Sequence, residues 1–297
     1  MSILSIGISV YDTTLTLKDS LLIDTKLRVS DIYENMGGQA TNAACVCAKF
    51  GLPTYMISRI GKDVYGNHIL DTLHTFSIDT TYMLHLDNYK TSCSTILNHQ
   101  DIGKRTILNY QDTLTDIDFS LPKSIDFLIL DAHEEKIGMQ ALDTFSNIPS
   151  MLDAERVNDL TLKYAKKVDY LVCSEKFARD FTQLDVIDSN YEAIIHHIKQ
   201  LNHKYVVVTL GEKGLIYEID GEVKHIPSYP NPVVDSTGAG DIFHGALAYA
   251  LHEQYSFEEA LYFASITASL SVTKKGSSSS IPTLTEVMHI YDKRGKV

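Results

Sequence analysis

The stretch that most constrains the fold is DSTGAGDIFHGALAYAL, residues 235–251, in which a glycine-bearing turn leads directly into a helix. Residues 233–234 are both valine and are typical of the end of a strand. Phe243, Leu247 and Leu251 recur at helical spacing after the turn. The sequence therefore predicts a strand, a turn and a helix in that order.

The turn in this stretch has the composition of an anion-binding site. Gly238 and Gly240, with the small Ala239 between them, let the backbone approach a ligand closely, and the unpaired N–H groups of the first helical turn point at it. Asp241 adds a negative charge that suits a helix N-terminus but would repel a phosphate unless a metal ion or a proton transfer is involved. The alternative is a tight turn with an ordinary first-turn acid.

A second glycine-rich stretch, GGQATNAA at residues 37–44, lies far from the first in sequence. Gly37 and Gly38 open a predicted helix that is rich in small residues. Asn42 in its first turn has both the donors and the acceptors needed to bind two neighbouring hydroxyl groups. Two such sites in one chain indicate two ligands.

Short apolar runs alternate with helical material, which indicates an α/β fold with a parallel sheet covered by helices. The runs are residues 2–10, 55–60, 127–131, 150–153, 170–173 and 205–210. We expect the first run to be a strand that delivers Asp12 at its carboxyl end, where ligands of open parallel sheets bind. The alternative is an aspartate that only forms a turn.

Two further segments, residues 13–36 and 90–110, alternate apolar and polar side chains. This pattern predicts half-buried antiparallel strands that form a small sheet apart from the main one. The alternative is a pair of surface hairpins without a closing motion.

Composition narrows the class of protein. The formal net charge of −12 argues against a nucleic-acid-binding surface, which needs clustered Lys and Arg, and favours a small-molecule ligand. No apolar run is long enough to cross a bilayer, and the N-terminal residues lack a basic region and a cleavage site, so we expect a cytoplasmic protein that does not bind membranes. Because no linker stands out, we expect one main domain, residues 1–297.

The pair GGQATNAA and DSTGAGD resembles the signature pair of the ribokinase-like, or PfkB, family of carbohydrate kinases in order, spacing and chain length. The resemblance implies a three-layer α/β/α sandwich with a central, mostly parallel sheet. It also implies a small β-sheet lid, formed here by residues 13–36 and 88–112, which covers the sugar and in many members pairs across a homodimer.

The resemblance also implies roles for both glycine-rich stretches. Asp241 would be the catalytic base, with the anion hole formed by Gly238, Ala239 and Gly240. The N–H groups of residues 237–241 would stabilise charge that develops on the transferring phosphate. The implied sugar-binding residues are Asp12, Gly37, Gly38, Gln39 and Asn42.

Binding of ATP is implied at residues 206–219, where a buried strand ends at Thr209 and a turn contains Gly211 and Gly214. A plain hairpin is the alternative. The family match adds Gly276 and Ser280 further along the chain, near adenine and a monovalent-cation site. We assign K⁺ at such a site to Asp235.

The Asn-x-x-Glu motif that many relatives use for magnesium and phosphate is absent, because Ser174 and Phe177 stand at its two positions. Glu175 is the candidate substitute for Mg²⁺. Alternatively, the ion is held through waters and the ATP phosphates, in keeping with its reluctance to lose water. Ser174 and Glu175 also fit an ordinary helix start.

The acceptor is less constrained by the sequence. GKRTILNY and SEKFARDFT resemble a bacterial branch that includes ketohexokinase-like and sulfofructose kinases, in which a lysine, an asparagine and an arginine face an anionic tail. Lys26 and Asn109 match the first two, unless they are solvated lid positions. His133 stands in place of the arginine and is a weaker, pH-dependent anion partner, so we expect a neutral ketose or pentose such as fructose or ribose.

Two other functions stay open. A nucleoside kinase of the same fold would need aromatic stacking partners in the lid, for which Tyr89 and Tyr110 are the candidates. A non-catalytic sugar or nucleotide sensor would explain the missing Asn-x-x-Glu, but mere binding does not require Asp241. Fold alone does not separate these functions.

Overall fold

The strands and helices described here come from a computed structural model that describes residues 2–18, 21, 24–99, 104–113, 115–202 and 204–293. The strands are β1 (Ile3–Ile6), β2 (Val10–Leu17), β3 (Asp31–Gly37), β4 (Thr54–Ile57), β5 (Arg59–Gly61), β6 (Leu84–Leu86), β7 (Cys93–His99), β8 (Lys104–Tyr110), β9 (Phe127–Asp131), β10 (Ser150–Ala154), β11 (Tyr170–Ser174), β12 (Tyr205–Thr209), β13 (Leu215–Ile219) and β14 (Glu222–Ile226).

The α-helices in the described ranges are α1 (Gln39–Lys49), α2 (Val64–Thr75), α3 (Glu135–Thr144), α4 (Asp159–Ala165), α5 (Glu175–Thr182), α6 (Tyr191–Lys199), α7 (Ala239–His252), α8 (Phe257–Ser271) and α9 (Leu284–Tyr291). Polar side chains at several N-termini accept a backbone N–H and so satisfy one of the groups left unpaired there. These caps are Asp63, Asn158, Ser174, Ser256 and Thr283. None of the described helices is long and apolar enough to cross a membrane.

The main sheet has eight strands in the order β14, β13, β12, β11, β10, β9, β1, β4. The six strands from β12 to β4 are parallel, and β13 and β14 run antiparallel at one edge. Alternate residues of each strand face opposite layers: Val207 packs into one hydrophobic cluster, and Val206 and Val208 pack into the other. The sheet is therefore covered on both faces.

Helices form the two outer layers. The first cluster joins the sheet to α1, α2, α7, α8 and α9, and the second joins it to α3, α4, α5 and α6. Helices α1 and α7 pack closely at Gly245, where an added Cβ would lie 2.5 Å from the Ala43 carbonyl oxygen. The predicted three-layer α/β/α sandwich is confirmed.

A separate four-stranded sheet has the order β3, β2, β7, β8 and coincides with the two alternating segments of the sequence. Each segment forms an antiparallel pair, as predicted, and the two pairs are joined by parallel pairing of β2 with β7. The small sheet predicted from the sequence is therefore present.

Two local predictions were wrong. The first strand ends at Ile6, and Asp12 lies on β2 of the small sheet. Between the two strands the chain passes close to Asp131, since an added Cβ at Gly7 would be 2.1 Å from Asp131 Cγ. Val233 and Val234 lie in an irregular segment, are 67% and 59% exposed, and do not end a strand.

Candidate active site

Helix α7 begins at the glycine-rich turn and places Asp241 in its first turn. Gly238 caps the helix with φ of +75°, and an added Cβ there would be 2.8 Å from Ser277 Cβ, so the turn requires glycine. An added Cβ at Gly240 would meet no atom within 4 Å, so this glycine faces open space. The N–H groups of the first helical turn have no partners within the helix and can bind an anion.

Two of the N–H groups of residues 237–241, which were predicted to stabilise charge on the phosphate, have acceptors within the protein. The Thr237 N–H donates to Asp235 Oδ1 at 2.9 Å, so it is already used within the protein. The Ala239 N–H donates to the Ser236 carbonyl oxygen at 3.4 Å, whereas the N–H groups of Gly238, Gly240 and Asp241 have no acceptor among the described residues.

The Asp241 carboxylate is held by a neighbouring amide. Asn42 Nδ2 donates to Asp241 Oδ2 at 2.7 Å, which joins the first turns of α1 and α7. Burial, reinforced by the negative charge of Asp153, raises the pKa of Asp241 to about 7, although the Asn42 hydrogen bond and His244 act in the opposite direction. A carboxylate with such a pKa is suited to accept a proton near neutral pH.

Buried acids and imidazoles lie behind Asp241. Asp131, at the end of β9, accepts hydrogen bonds from the N–H groups of Ile8, Ala40 and His133. It also lies beside Asp153 on β10 in the sheet register. Burial, followed by the charges of Asp131 and Glu155, raises the pKa of Asp153 well above its ordinary value. This negative surrounding makes Asp241 harder to ionise.

His244, one turn after Asp241, connects α7 to the buried acids. Its Nδ1 lies 2.7 Å from the Gly240 carbonyl oxygen and 3.3 Å from Asp153 Oδ2, so a proton on Nδ1 can be shared between both acceptors. Burial lowers the pKa of His244, although the Gly240 carbonyl oxygen and the charge of Asp241 act in the opposite direction. The imidazole therefore fixes the start of α7 against β10.

One cavity, with a volume of about 480 Å³, opens between the small sheet and the N-terminus of α7. The predicted site residues that line it are Asp12, Gly38, Gln39, Asn109, Gly238 and Asp241. Residues that also line it but were not assigned from the sequence include Arg105, Asp153, Glu155 and Arg156. We call it the acceptor cavity, since it holds most of the residues assigned to the sugar.

Two neighbours affect Asp12 at the acceptor cavity: Gly37 leaves space for its carboxylate, and Ser94 affects its pKa. An added Cβ at Gly37 would lie 2.0 Å from Asp12 Oδ2, so glycine is required for the carboxylate to occupy its place. Burial raises the pKa of Asp12 to about 6, and a hydrogen bond with Ser94 acts against this rise. Ser94 also accepts a hydrogen bond from Asn109 Nδ2 at 3.1 Å, which connects Asp12 to Asn109 across β7.

Three residues assigned to the sugar, Gly37, Asn42 and Lys26, lie outside the cavity lining. Asn42 is 2% exposed; its Nδ2 binds Asp241, and its buried Oδ1 has no hydrogen-bond partner among the described residues. Lys26 is exposed on a segment without regular structure and is not brought to the cavity.

A second cavity, with a volume of about 610 Å³, lies on the other side of the glycine turn. Thr209, Gly211 and Gly214 line it, as assigned from the sequence, and Ala239 and Gly240 form its border with the acceptor cavity. Its further lining includes Tyr229, Pro230, Asn231, Val233, Phe243, Ala268 and Val272. We call it the nucleotide cavity; its irregular and helical walls carry no local motif that the sequence could reveal.

Gly276 and Ser280 do not line the nucleotide cavity. Gly276 has φ of +89° and donates its N–H to Asp235 Oδ2 at 2.9 Å. Ser280 is buried and donates to the Ser277 carbonyl oxygen. The assignment of both residues to the nucleotide and a monovalent-cation site stays a prediction.

Asp235 is engaged by three donors. Tyr33 Oη and the Gly276 N–H donate to its Oδ2, and the Thr237 N–H donates to its Oδ1. Its pKa is lowered because these hydrogen bonds outweigh the opposing effect of burial. The assignment of a monovalent cation to Asp235 therefore stays a prediction.

Glu175, the magnesium candidate, lies outside both cavities. It starts α5, where Ser174 caps the helix by accepting the Phe177 N–H, so the ordinary helix-start interpretation describes this segment. No cluster of three or more His, Cys, Asp or Glu side chains arranged for a metal occurs in the described part of the chain. Glu155 lines the acceptor cavity with half of its side chain exposed.

The fold and the two cavities can be compared with known proteins. The ribokinase of Bacillus subtilis is 28% identical over 269 residues, which cover 84% of this chain and 86% of the relative. The deoxyribokinase of Salmonella typhimurium is 26% identical over 267 residues, which cover 84% and 85%. A solved structure of Arabidopsis thaliana ribokinase complexed with ribose and ATP has a TM-score of 0.82 at 24% identity and covers 98% of both chains.

The family model described as pfkB family carbohydrate kinase matches residues 1–284, which include both glycine-rich stretches and every strand and helix up to the start of α9. This match extends over nearly the whole chain and agrees with the three-layer fold. The chain belongs to the pfkB family of carbohydrate kinases.

Proposed function

We propose that the protein is an ATP-dependent sugar kinase that transfers the γ-phosphate to a primary hydroxyl group of a small sugar, a pentose such as ribose or a ketose such as fructose. The observation that carries this proposal is the position of Asp241. It lines the acceptor cavity, while Ala239 and Gly240 in the same helical turn line the nucleotide cavity. A base and an anion-binding site therefore lie side by side at the border between the proposed sugar and ATP sites.

In the proposed reaction, Asp241 accepts the proton of the sugar hydroxyl as its oxygen bonds to the γ-phosphorus. The bond from that phosphorus to the β,γ-bridging oxygen breaks, and ADP leaves. The N–H groups of Gly238, Gly240 and Asp241 face the phosphate oxygens and stabilise the charge spread over them. Positioning and electrostatics supply most of the acceleration in such reactions.

A neutral sugar fits the polar side of the acceptor cavity. Asp12, Gln39 and Asn109 offer acceptors and donors for several hydroxyl groups. Asn42 Oδ1 is buried without a hydrogen-bond donor among the described residues. A small movement of the Asn42 amide would bring this oxygen within reach of a sugar hydroxyl, which would donate to it. The ribokinase and deoxyribokinase relatives favour a pentose.

We place ATP in the nucleotide cavity, with its phosphates directed at the start of α7. This placement is supported by the ATP complex of the Arabidopsis relative and by Thr209, Gly211 and Gly214 in the cavity wall. Mg²⁺ would come with the ATP phosphates and offset their charge, and Glu155 is the residue placed to hold it through water.

The alternatives have less support. Among the described residues that line the acceptor cavity there is neither Phe nor Tyr, so a nucleoside base would find only the His133 imidazole to stack on. Tyr89 is 9% exposed, and neither it nor Tyr110 lines the cavity. A sensor without catalysis would not need a carboxylate whose pKa is raised to about 7.

We further propose that residues 1–297 act as one kinase domain, in which residues 13–36 and 88–112 form a lid over the acceptor cavity, and that two chains pair through the outer face of that lid. Ile32, Leu108 and Tyr110 expose 59%, 58% and 43% of their surface there. Exposed apolar side chains that share one sheet face favour a partner.

The test is ADP release by the wild type and Asp241→Asn across pentoses, hexoses, ketoses, sulfofructose and nucleosides, with Mg²⁺ and K⁺ present. We expect sugar-dependent turnover that falls by roughly 10²- to 10⁴-fold in the variant, because a positioned base contributes that much. Asp116→Asn is the control, since that carboxylate is exposed and outside both cavities. Absence of turnover while calorimetry still detects ATP or sugar binding would support the sensor instead.

A further inference from the structure

Arg105 joins the small sheet to the glycine turn. It lies on β8, lines the acceptor cavity, and its Nη1 donates to Thr237 Oγ1 at 3.0 Å. Thr237 directly precedes Gly238, the cap of α7. The guanidinium group therefore lies at the edge of the N–H groups proposed to bind the transferring phosphate.

The charges around the acceptor cavity give this arginine a specific role. The acids that line the cavity are Asp12, Asp153, Glu155 and Asp241. Phosphate oxygens entering beside them meet repulsion that backbone N–H groups only partly offset. Arg156 also lines the cavity, but its Nε lies 3.8 Å from Glu155 Oε1. Arg105 is bonded to a neutral hydroxyl and, within the described residues, has no carboxylate partner, so it can turn to an anion without breaking an ion pair.

We propose that Arg105 is a catalytic residue of the lid that binds the γ-phosphate during transfer. This inference rests on the proposed kinase function. A guanidinium can bond two phosphate oxygens at once, and charge placed there stabilises the equatorial oxygens as the sugar oxygen bonds to phosphorus and ADP leaves. Arg105 stays protonated throughout, since the hydroxyl proton goes to Asp241.

The contact with Thr237 also fits a simpler role, in which Arg105 only fastens the lid to the turn. The two roles predict different effects of substituting Thr237 and Arg105. If Arg105 only attaches the lid to the turn, it acts through its hydrogen bond to Thr237 Oγ1. Removing either side chain of this hydrogen bond should then lower the rate equally. A phosphate ligand acts through its charge, so replacing the threonine hydroxyl should cost much less than replacing the arginine.

The experiment measures kcat and both KM values for Arg105→Gln, Arg105→Lys, Thr237→Val and the double variant. Arg28→Gln is the matched control, because Arg28 is an exposed arginine of the other lid segment, residues 13–36, and does not line the cavity. We expect kcat to fall by roughly 10²-fold in Arg105→Gln, as for removal of one donor to a developing charge, with sugar KM nearly unchanged. Lysine should restore part of the rate, and guanidinium ion should partly rescue Arg105→Ala.

A second measurement follows binding of ADP with aluminium fluoride and sugar, which mimics the transferring phosphate. Arg105→Gln should lose affinity for this mixture while affinity for ADP alone is kept. If kcat and analogue binding stay within threefold of the wild type, or if Thr237→Val and the double variant match Arg105→Gln, Arg105 is not a phosphate ligand. If the wild type turns over no sugar, the proposed kinase function itself is wrong. If the wild type and Arg105→Gln are both fully active, the kinase function stands and only the role of Arg105 is wrong.

Discussion

The pKa of the Asp241 carboxyl group is set by effects that act in opposite directions. Burial and the charge of Asp153 favour the protonated form, while the Asn42 amide and His244 favour the carboxylate. The balance leaves the pKa at about 7, where a base is unprotonated often enough to act and still basic enough to take a hydroxyl proton. Asn42 thus orients the base, and Asp153 keeps it basic.

Asp153→Asn tests this balance. Activity requires the Asp241 carboxylate, so kcat/KM should rise with pH through the pKa of Asp241 and be low on the acid side. Removing the charge of Asp153 lowers that pKa, so the acid limb should move to lower pH. The check is a pH profile of kcat/KM at fixed ionic strength.

The control for this profile is Asp143→Asn, which removes a charge from an exposed carboxylate paired with Lys167. It should leave the acid limb where the wild type has it. A limb in Asp153→Asn that coincides with the wild type would show that Asp153 does not act on the base. Because Asp241, Asp153 and His244 interact, the apparent pKa belongs to the group rather than to one residue.

The sequence identified those residues of the candidate site that stand in a recognisable local motif, and it did not identify those without one. Asp241 follows two glycines and starts a helix, which marks it without a structure. Asp131 and Asp153 are single acids at the ends of apolar runs, and they meet only because β9 and β10 are paired in one register. Arg105 was missed because an exposed arginine on an alternating strand is ordinary until the fold brings it to Thr237.

At the scale of elements, the site depends on how closely α1 and α7 approach each other. Asn42 is in the first turn of α1 and Asp241 in the first turn of α7. One helical turn after Asp241, Gly245 leaves no room between the helices, with Ala43 O at 2.5 Å and Val46 Cβ at 2.7 Å from an added Cβ. The absence of a side chain at Gly245 therefore helps to set the Asn42–Asp241 distance.

Gly245→Val should both destabilise the fold and slow the reaction. The added side chain overpacks the interface, which typically costs about 1–3 kcal/mol, and it pushes apart the two helices that carry the base and its amide. The measurements are the free energy of unfolding in urea and kcat. Ala193→Val, at an exposed position of α6, is the control for the effect of a β-branched residue in a helix. Equal stability and rate in both variants would show that the helix contact adapts freely.

The elements themselves were largely predictable, and the failures have physical causes. Buried strands such as β9 and β12 are continuous apolar runs, which the sequence shows directly. Val233 and Val234 form a similar run of only two residues, but both are exposed. The segment is held by backbone hydrogen bonds from Val234 and Asp235 to the Val272 carbonyl oxygen and by the Asp235 side chain. Periodicity does not reveal a segment that is fixed by such contacts with distant parts of the chain.

At the scale of the whole molecule, the pairing of strands far apart in sequence decides where the cavities lie. The main sheet places β1 between β4 and β9, and β2 continues from β1 into the small sheet. This crossing carries Asp12 over the start of α7 and creates the acceptor cavity. The layers followed from alternation and resemblance, but the strand order could not be derived from local pattern, because it joins segments more than a hundred residues apart.

The outer face of the small sheet leads to a prediction about assembly. In the sheet register Leu108 lies opposite Thr95, and Ile32 lies opposite Leu15, so both side chains point away from the face that carries Asp12 and Asn109. We expect the wild type to have twice the chain mass of 33.2 kDa in light scattering coupled to gel filtration. Replacing both exposed residues, in Ile32→Glu with Leu108→Glu, should give the mass of one chain, because charges buried in an apolar interface are costly.

Ile187→Glu is the control for this assembly, since Ile187 is 51% exposed outside the small sheet and its substitution should leave the mass of two chains unchanged. A wild type that stays at the mass of one chain at every concentration would contradict pairing through the lid. If pairing occurs, it covers the outer side of β8 while Arg105 lines the inner side. The double variant should then weaken the lid as well, so its sugar KM should rise, whereas that of the Ile187 variant should not.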